Sequence, residues 1–146
     1  MAGRHVLLVD DNETDVILAQ AALELSGLGA VVSVARDGAD ALAFLRREGP
    51  HASRGTGDPH VVLLDLNMPR MSGLEVLGEL RRDARLRHLP VVMLTTSQAD
   101  GDVYSSYASG ANAYVVKPVS FDGTVEAMRT LTAFWVALNN TVGDQG

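Results

Sequence analysis

The stretch VVLLDLNMPRMSG, Val61–Gly73, decides how the rest of the chain reads. Its first four residues are apolar without polar alternation, the pattern of a parallel strand covered on both faces. A carboxylate, Asp65, follows at once. Setting a charge at the rim of a core is costly unless something there uses it.

Working outward, the same pattern recurs in HVLLVD (5–10), VVSVA (31–35), HVVLLD (60–65), PVVMLT (90–95) and AYVVK (113–117). Segments with helical spacing lie between these runs. In the first, Ile17, Ala21, Leu25 and Leu28 form a stripe, with Gly27 and Gly29 as the stop. Asp37 caps a second, carrying Leu42 and Leu45, and Gly73 precedes a third with Val76, Leu77 and Leu80. A fourth spans about 98–109 and closes at Gly110, and a fifth runs from about 121 to 141. Strands alternating with helices predict an α/β fold, a doubly wound five-stranded parallel sheet with right-handed crossovers. Gly49 to Pro59, rich in Gly and Pro, reads as a long surface loop with nothing catalytic in it.

The 146 residues have room for one domain, and 12 Lys and Arg against 18 Asp and Glu leave a net charge of −6. The longest basic runs, Arg46-Arg47 and Arg81-Arg82, are two residues, so nucleic-acid binding is disfavoured. Cysteine is absent, which excludes disulfides and thiolate metal sites. The N-terminal apolar run is cut short by two acids, so it resembles neither a signal peptide nor a membrane span, and a soluble cytoplasmic protein is expected. The histidines, His5, His51, His60 and His88, lack ligand spacing and read as structural or surface residues.

Ligands of open α/β sheets bind beyond the carboxyl ends of the strands, at the switch in strand order. Those ends carry Asp10, Asp11, Asp65, Thr95 and Lys117. Each alone has an ordinary reading: a capping acid pair, a strand-ending threonine, a solvated lysine. Together, carboxylates this close require a cation, and hard oxygen ligands with room for waters suit Mg²⁺. Asp65, central in the sheet, then reads as a carboxylate nucleophile able to form an aspartyl phosphate, with Thr95 and Lys117 binding the phosphoryl oxygens.

The DD after the first strand, D-x-N-M-P-x-M-x-G after the third, T-T-S after the fourth and Y-V-V-K-P at the fifth together resemble the receiver domain of two-component response regulators. Asp65 to Thr95 is 30 residues and Thr95 to Lys117 is 22, both usual for receivers. Asp11 to Asp65, at 54, is longer than in chemotaxis-type receivers, and the Gly49 to Pro59 loop accounts for it.

The resemblance implies a flavodoxin-like (βα)₅ fold over 1–146 with no output domain. It implies that Asp65 takes a phosphoryl group from a sensor histidine kinase. Asp10, Asp11 and Asp65 would hold Mg²⁺ together with the backbone carbonyl of Asn67, and Lys117 would pair with Asp65. A cis peptide before Pro118 would aim the lysine, and Thr95 and Tyr114 would form the switch pair. Asn67 and Ser97 would tune the lifetime of the phosphorylated state. The signal would pass to an unknown downstream protein.

The last helix narrows the resemblance. Thr130 to Val142 carries no charge. A stripe of Phe121, Val125, Met128, Trp135 and Leu138 is expected to face the sheet, with apolar surface left over for an interface. With the long loop, the LTTS run and the Phe134-Trp135 pair, the chain resembles stand-alone receivers paired with bacterial phytochrome kinases. That implies a bacteriophytochrome as donor and a homodimer through Phe134, Trp135 and Leu138. Two alternatives are a Mg²⁺-dependent phosphatase of the haloacid-dehalogenase type, opposed by Asn67 where that family places its general acid, and a phosphorylation-independent interaction module, opposed by the intact site positions.

Overall fold

Strands that are apolar throughout need cover on both sides, and the crossover helices supply it. The computed structural model describes residues 4–27, 29–55 and 57–142. Five strands, β1 (His5–Val9), β2 (Val31–Ala35), β3 (Val61–Leu64), β4 (Val91–Thr95) and β5 (Ala113–Val116), pair in parallel in the order β2-β1-β3-β4-β5. They alternate with α1 (Glu13–Leu25), α2 (Gly38–Arg46), α3 (Gly73–Arg82), α4 (Asp100–Ala108) and α5 (Phe121–Leu131). This is the doubly wound sheet the sequence predicts.

Side chains alternate across a strand, so each central strand feeds two cores. Leu7, Val9, Val62, Leu64 and Met93 pack with α2 and α3, while Val6, Leu8, Leu63, Val92 and Leu94 pack with α1 and α5. Each fully buried Leu or Val contributes about 1.5–3 kcal/mol relative to exposure, which fixes the register of the strands and therefore of their ends. Local signals set the helix starts. Asp37 caps α2 by accepting from the Asp40 N–H, and Ser72 and Glu75 form a capping box on α3. Gly73 is required by contact: a Cβ there would sit 2.2 Å from the Asp65 carbonyl oxygen, so only glycine lets α3 begin against the end of β3.

Two faces differ from expectation. On α1 the buried residues are Val16, Ala19, Ala22 and Leu23, whereas Ile17 and Leu25 are 55% and 60% exposed and Leu28 lies outside the described residues. Both stripes satisfy helical spacing and lie about 100° apart. Tertiary packing chose the one whose two alanines let the helix approach the sheet. At the C-terminus, α5 gives way to a π-helical segment, Thr132–Leu138, in which the Asn139 N–H donates to Phe134 O, five residues back. The Thr132 hydroxyl donates to Met128 O at 2.7 Å and Arg129 O at 3.2 Å, the kind of back-bonding that bends helices. Within α5, Met128 and Leu131 are buried, Val125 is half-buried and Phe121 is exposed; past the wider turns, Thr132 and Val136 are buried, Trp135 is half-buried and Leu138 is exposed. The expected stripe therefore holds only at its centre.

The long loop is better anchored than its composition suggests. It contains a short 3₁₀ turn, Gly49–His51, and the Arg54 guanidinium lies 4.2 Å from the Phe44 ring centroid, with Nε donating to Phe44 O at 2.9 Å.

Candidate functional site

Adjacency in the sheet, not in sequence, assembles the polar cluster. The Asp65 N–H donates to Val9 O, the Asp10 N–H to Ala35 O and the Lys117 N–H to Thr95 O, so ladder bonds carry on past the strands and hold each functional residue in place. Asp10, Thr95 and Asp65 are buried, and Asp11 is exposed at the rim. Carboxylate oxygens of Asp10, Asp11 and Asp65 lie within 4.8 Å of one another. Three hard anionic donors from two strand ends, with one side open to solvent, fit a divalent cation of the Mg²⁺ class.

Electrostatics mark Asp65. Burial pushes its carboxyl up to about 6, against the pull of Lys117; Asp10 adds to the rise, and the backbone N–H groups of Asn67 and Leu66 oppose it. A carboxylate desolvated and crowded by negative charge is the kind of perturbed group that gathers at functional sites.

Lys117 departs from expectation twice. Its Nζ donates to Asp10 Oδ2 at 2.7 Å and to Asp15 Oδ2 at 2.8 Å, while Asp65 Oδ2 lies at 3.8 Å. Asp10 is the most deeply buried acid of the cluster and takes the cation, whereas Asp65 is already served by backbone N–H groups. Burial works against the lysine's charge, but its bonds to Asp10 and Asp15, with the negative charge of Asp65 nearby, outweigh it and hold its pKa above the usual value. The peptide bond before Pro118 is trans, as are all others among the described residues. The trans form is the preferred one by about 0.5–1 kcal/mol for an X–Pro bond. Asp15 is the residue the sequence reading missed; its one signal is its place in the first turn of α1, five residues beyond Asp10.

A second network links the fourth and fifth strands. The Ser97 N–H donates to Thr95 Oγ1 at 3.4 Å, the Ser97 hydroxyl donates to Asp102 Oδ2 at 2.5 Å, and the Tyr114 hydroxyl donates to Ser97 O at 2.9 Å. Tyr114 is half-buried against the core on the α2–α3 side, and Asn67 is exposed beside Asp65. Of the expected interface residues, Phe134 and Leu138 are 45% and 71% exposed; Trp135 packs on the α1–α5 core and meets Phe134 edge-on at 4.9 Å.

The response regulator receiver domain, as a family, matches residues 6–129. The chain is 38% identical over 138 residues to the probable methanogenesis regulatory protein FilR2 of Methanothrix harundinacea, covering 94% of this chain and 87% of that protein. Among solved structures it is similar to the phosphorylated cyanobacterial phytochrome response regulator RcpA, with TM-score 0.88 and 36% identity over 96% of this chain and 99% of that one. It is also similar to the bacteriophytochrome response regulator RtBRR, with TM-score 0.77 and 50% identity over 95% of this chain and 84% of that one.

Proposed function

The chain belongs to the response regulator receiver family, and from that premise we propose that Asp65 is its phosphoacceptor and that its donor is a sensor histidine kinase of the bacteriophytochrome type. One observation carries the site assignment: a desolvated carboxylate at the centre of the sheet faces two further acids, with a lysine ammonium 3.8 Å away. The likeness to two phytochrome response regulators supports the choice of donor. Asn67 offers no acid proton two residues after Asp65, which disfavours steady hydrolysis of phosphate esters.

In the transfer, an Asp65 carboxylate oxygen attacks phosphorus of a phosphohistidine. The new P–O bond forms as the P–N bond breaks, and its electron pair returns to the imidazole, which takes a proton from solvent. Asp10, Asp11 and Asp65, with the Asn67 carbonyl, are the residues that would hold Mg²⁺. When bound, the cation supplies positive charge against the crowded carboxylates and the phosphoryl oxygens. Lys117 brings a second cation, and the Thr95 hydroxyl donates to a phosphoryl oxygen. Moving Thr95 disturbs its bond from Ser97 and, through Ser97 O, the Tyr114 hydroxyl, so the new charge is read out at β5 and α4.

The whole sequence is read as one cytoplasmic receiver unit that dimerises through its C-terminal apolar surface and signals by protein contact. Exposed Phe134, Leu138 and Val142 support that surface. The test is intact mass after incubation with acetyl phosphate, with Mg²⁺ or with chelator. A single phosphoryl adduct that needs Mg²⁺ and vanishes in Asp65→Asn is expected. An adduct indifferent to both overturns the assignment.

A further inference from the structure

Lys117 is the only lysine in the chain; every other basic position apart from histidine is arginine. An ammonium on a flexible stem can pivot between partners, whereas a planar guanidinium fork is built for fixed geometry. The ammonium has three N–H donors, and two are given to Asp10 and Asp15 at hydrogen-bond distance, leaving Asp65 beyond it.

Asp15 differs in kind from the other acids. It stands on α1 rather than at a strand end, and it lies outside the Asp10, Asp11 and Asp65 group. Its backbone is fixed by the cap, since its N–H donates to Asn12 Oδ1 at 2.9 Å, and the N-terminal end of α1 favours its negative charge. Beside the pair lies a cavity of about 50 Å³, lined by Asp10, Asp15, Lys117, Leu18, Leu94 and Met128, which gives the lysine side chain room to move.

We propose that Asp15 is a positioning residue: it parks Lys117 away from Asp65 in the resting protein, and phosphorylation pulls the lysine off it. The inference rests on Asp65 as phosphoacceptor and adds a resting partner that competes with the phosphoryl group for the one mobile cation. The Asp15–Lys117 pair ties α1 to the segment joining β5 and α5, so each phosphorylation removes that one polar tie and leaves the apolar packing of α1 on α5 in place. Leu18, 39% exposed, lines the cavity beside the pair, so loss of the tie alters a surface that a partner can sense.

A single lysine makes the test clean. In protein labelled with ¹⁵N-lysine, the parent should give one Lys117 Nζ resonance whose protons are protected from solvent exchange. Asp15→Asn should shift that resonance and speed exchange, and Asp15→Glu should restore both. With acetyl phosphate and Mg²⁺, Asp15→Asn should gain the phosphoryl adduct roughly three- to tenfold faster, because the lysine no longer has to leave a charged partner. A merely structural role for Asp15 would slow the reaction. Asp15→Ser, which keeps a polar group in the first turn of α1, serves if Asp15→Asn folds poorly. An unchanged Nζ resonance, or an adduct rate equal to or below the parent's in the charge-removing variants, overturns the proposal. If the parent itself gains no adduct, the phosphoacceptor reading fails, and the resonance alone decides whether Asp15 holds the lysine.

Discussion

The two ends of β1 both bury polar groups, and they do so in opposite ways. At the amino end, His5 Nε2 meets Ser33 Oγ at 2.9 Å, Nδ1 lies 3.3 Å from Gly57 O, and the His5 N–H donates to His60 Nδ1 at 3.2 Å. Phe44 presents its ring to His5 at 5.8 Å and to the Arg54 guanidinium at 4.2 Å, and Arg54 Nη1 donates to Gly57 O at 2.9 Å. These are neutral or charge-to-dipole contacts, with an Arg54–Asp58 ion pair at 3.7 Å beside them in which the two charges offset each other. At the carboxyl end, three carboxylates crowd a single lysine, and Asp65 is pushed up to about 6. One end is arranged for stability. The other stores repulsion among carboxylates that a bound divalent cation would relieve, the pattern of a site that gives up stability for function.

Asp65→Asn gives the largest effect on this contrast: complete loss of the phosphoryl adduct by intact mass. Next, Thr95→Ala should still accept phosphate, while the Tyr114 resonances, expected to respond to phosphorylation in the parent, should stay at their resting positions. An equal response in that variant would break the proposed route through Ser97.

Stability should then move in opposite directions at the two ends. Arg54→Met keeps bulk but removes donors from Phe44 O and Gly57 O, and should cost about 2–3 kcal/mol in urea unfolding. Asp65→Asn, measured in chelator at pH 7, should instead add on the order of 2 kcal/mol.

The pH dependences sharpen the same comparison. Asp65 has a folded pKa raised from 3.8 to about 6, so the folded state binds its proton more tightly. Its contribution is greatest below pH 3.8 and is lost as pH rises toward 6, so the Asp65→Asn advantage should shrink to nothing near pH 4. His5 is the reverse: burial lowers its pKa below 6.5, so its contribution is present above pH 6.5 and is lost as pH falls through the folded value. Replacing His5 with Gln should flatten the acid side of the stability profile and leave the Asp65 slope in place.

The smallest effect is expected outside both ends of β1. Phe134→Glu should weaken the proposed dimer about tenfold by light scattering, the loss of roughly one buried apolar contact, and leave adduct formation unchanged. A parent protein that stays monomeric at micromolar concentration would remove the dimer and leave the receiver chemistry intact.

The sequence by itself determined the sheet and the strand ends. Short unbroken apolar runs such as Val61–Leu64 read as strands covered on both faces, and those of β1, β3, β4 and β5 are followed or ended by the polar residue they deliver to the crevice, whereas β2 ends on Ala35. It also determined the caps, since Asp37 and Ser72 bond to backbone within three residues of themselves, a local interaction that needs no fold. Only the tertiary structure decided which stripe of α1 is buried, because Val16–Ala19–Ala22–Leu23 and Ile17–Ala21–Leu25 satisfy the same period and differ only in fit against the sheet. It decided the face of the C-terminal segment, where a threonine back-bond and π-helical turns changed the rotation that a uniform helix would have. It also decided where Lys117 points. Spacing carried the lysine to the crevice, but its partners stand just past the end of β1 and on α1, about a hundred residues away, and the balance of burial and charge among three acids exists only once those elements have packed.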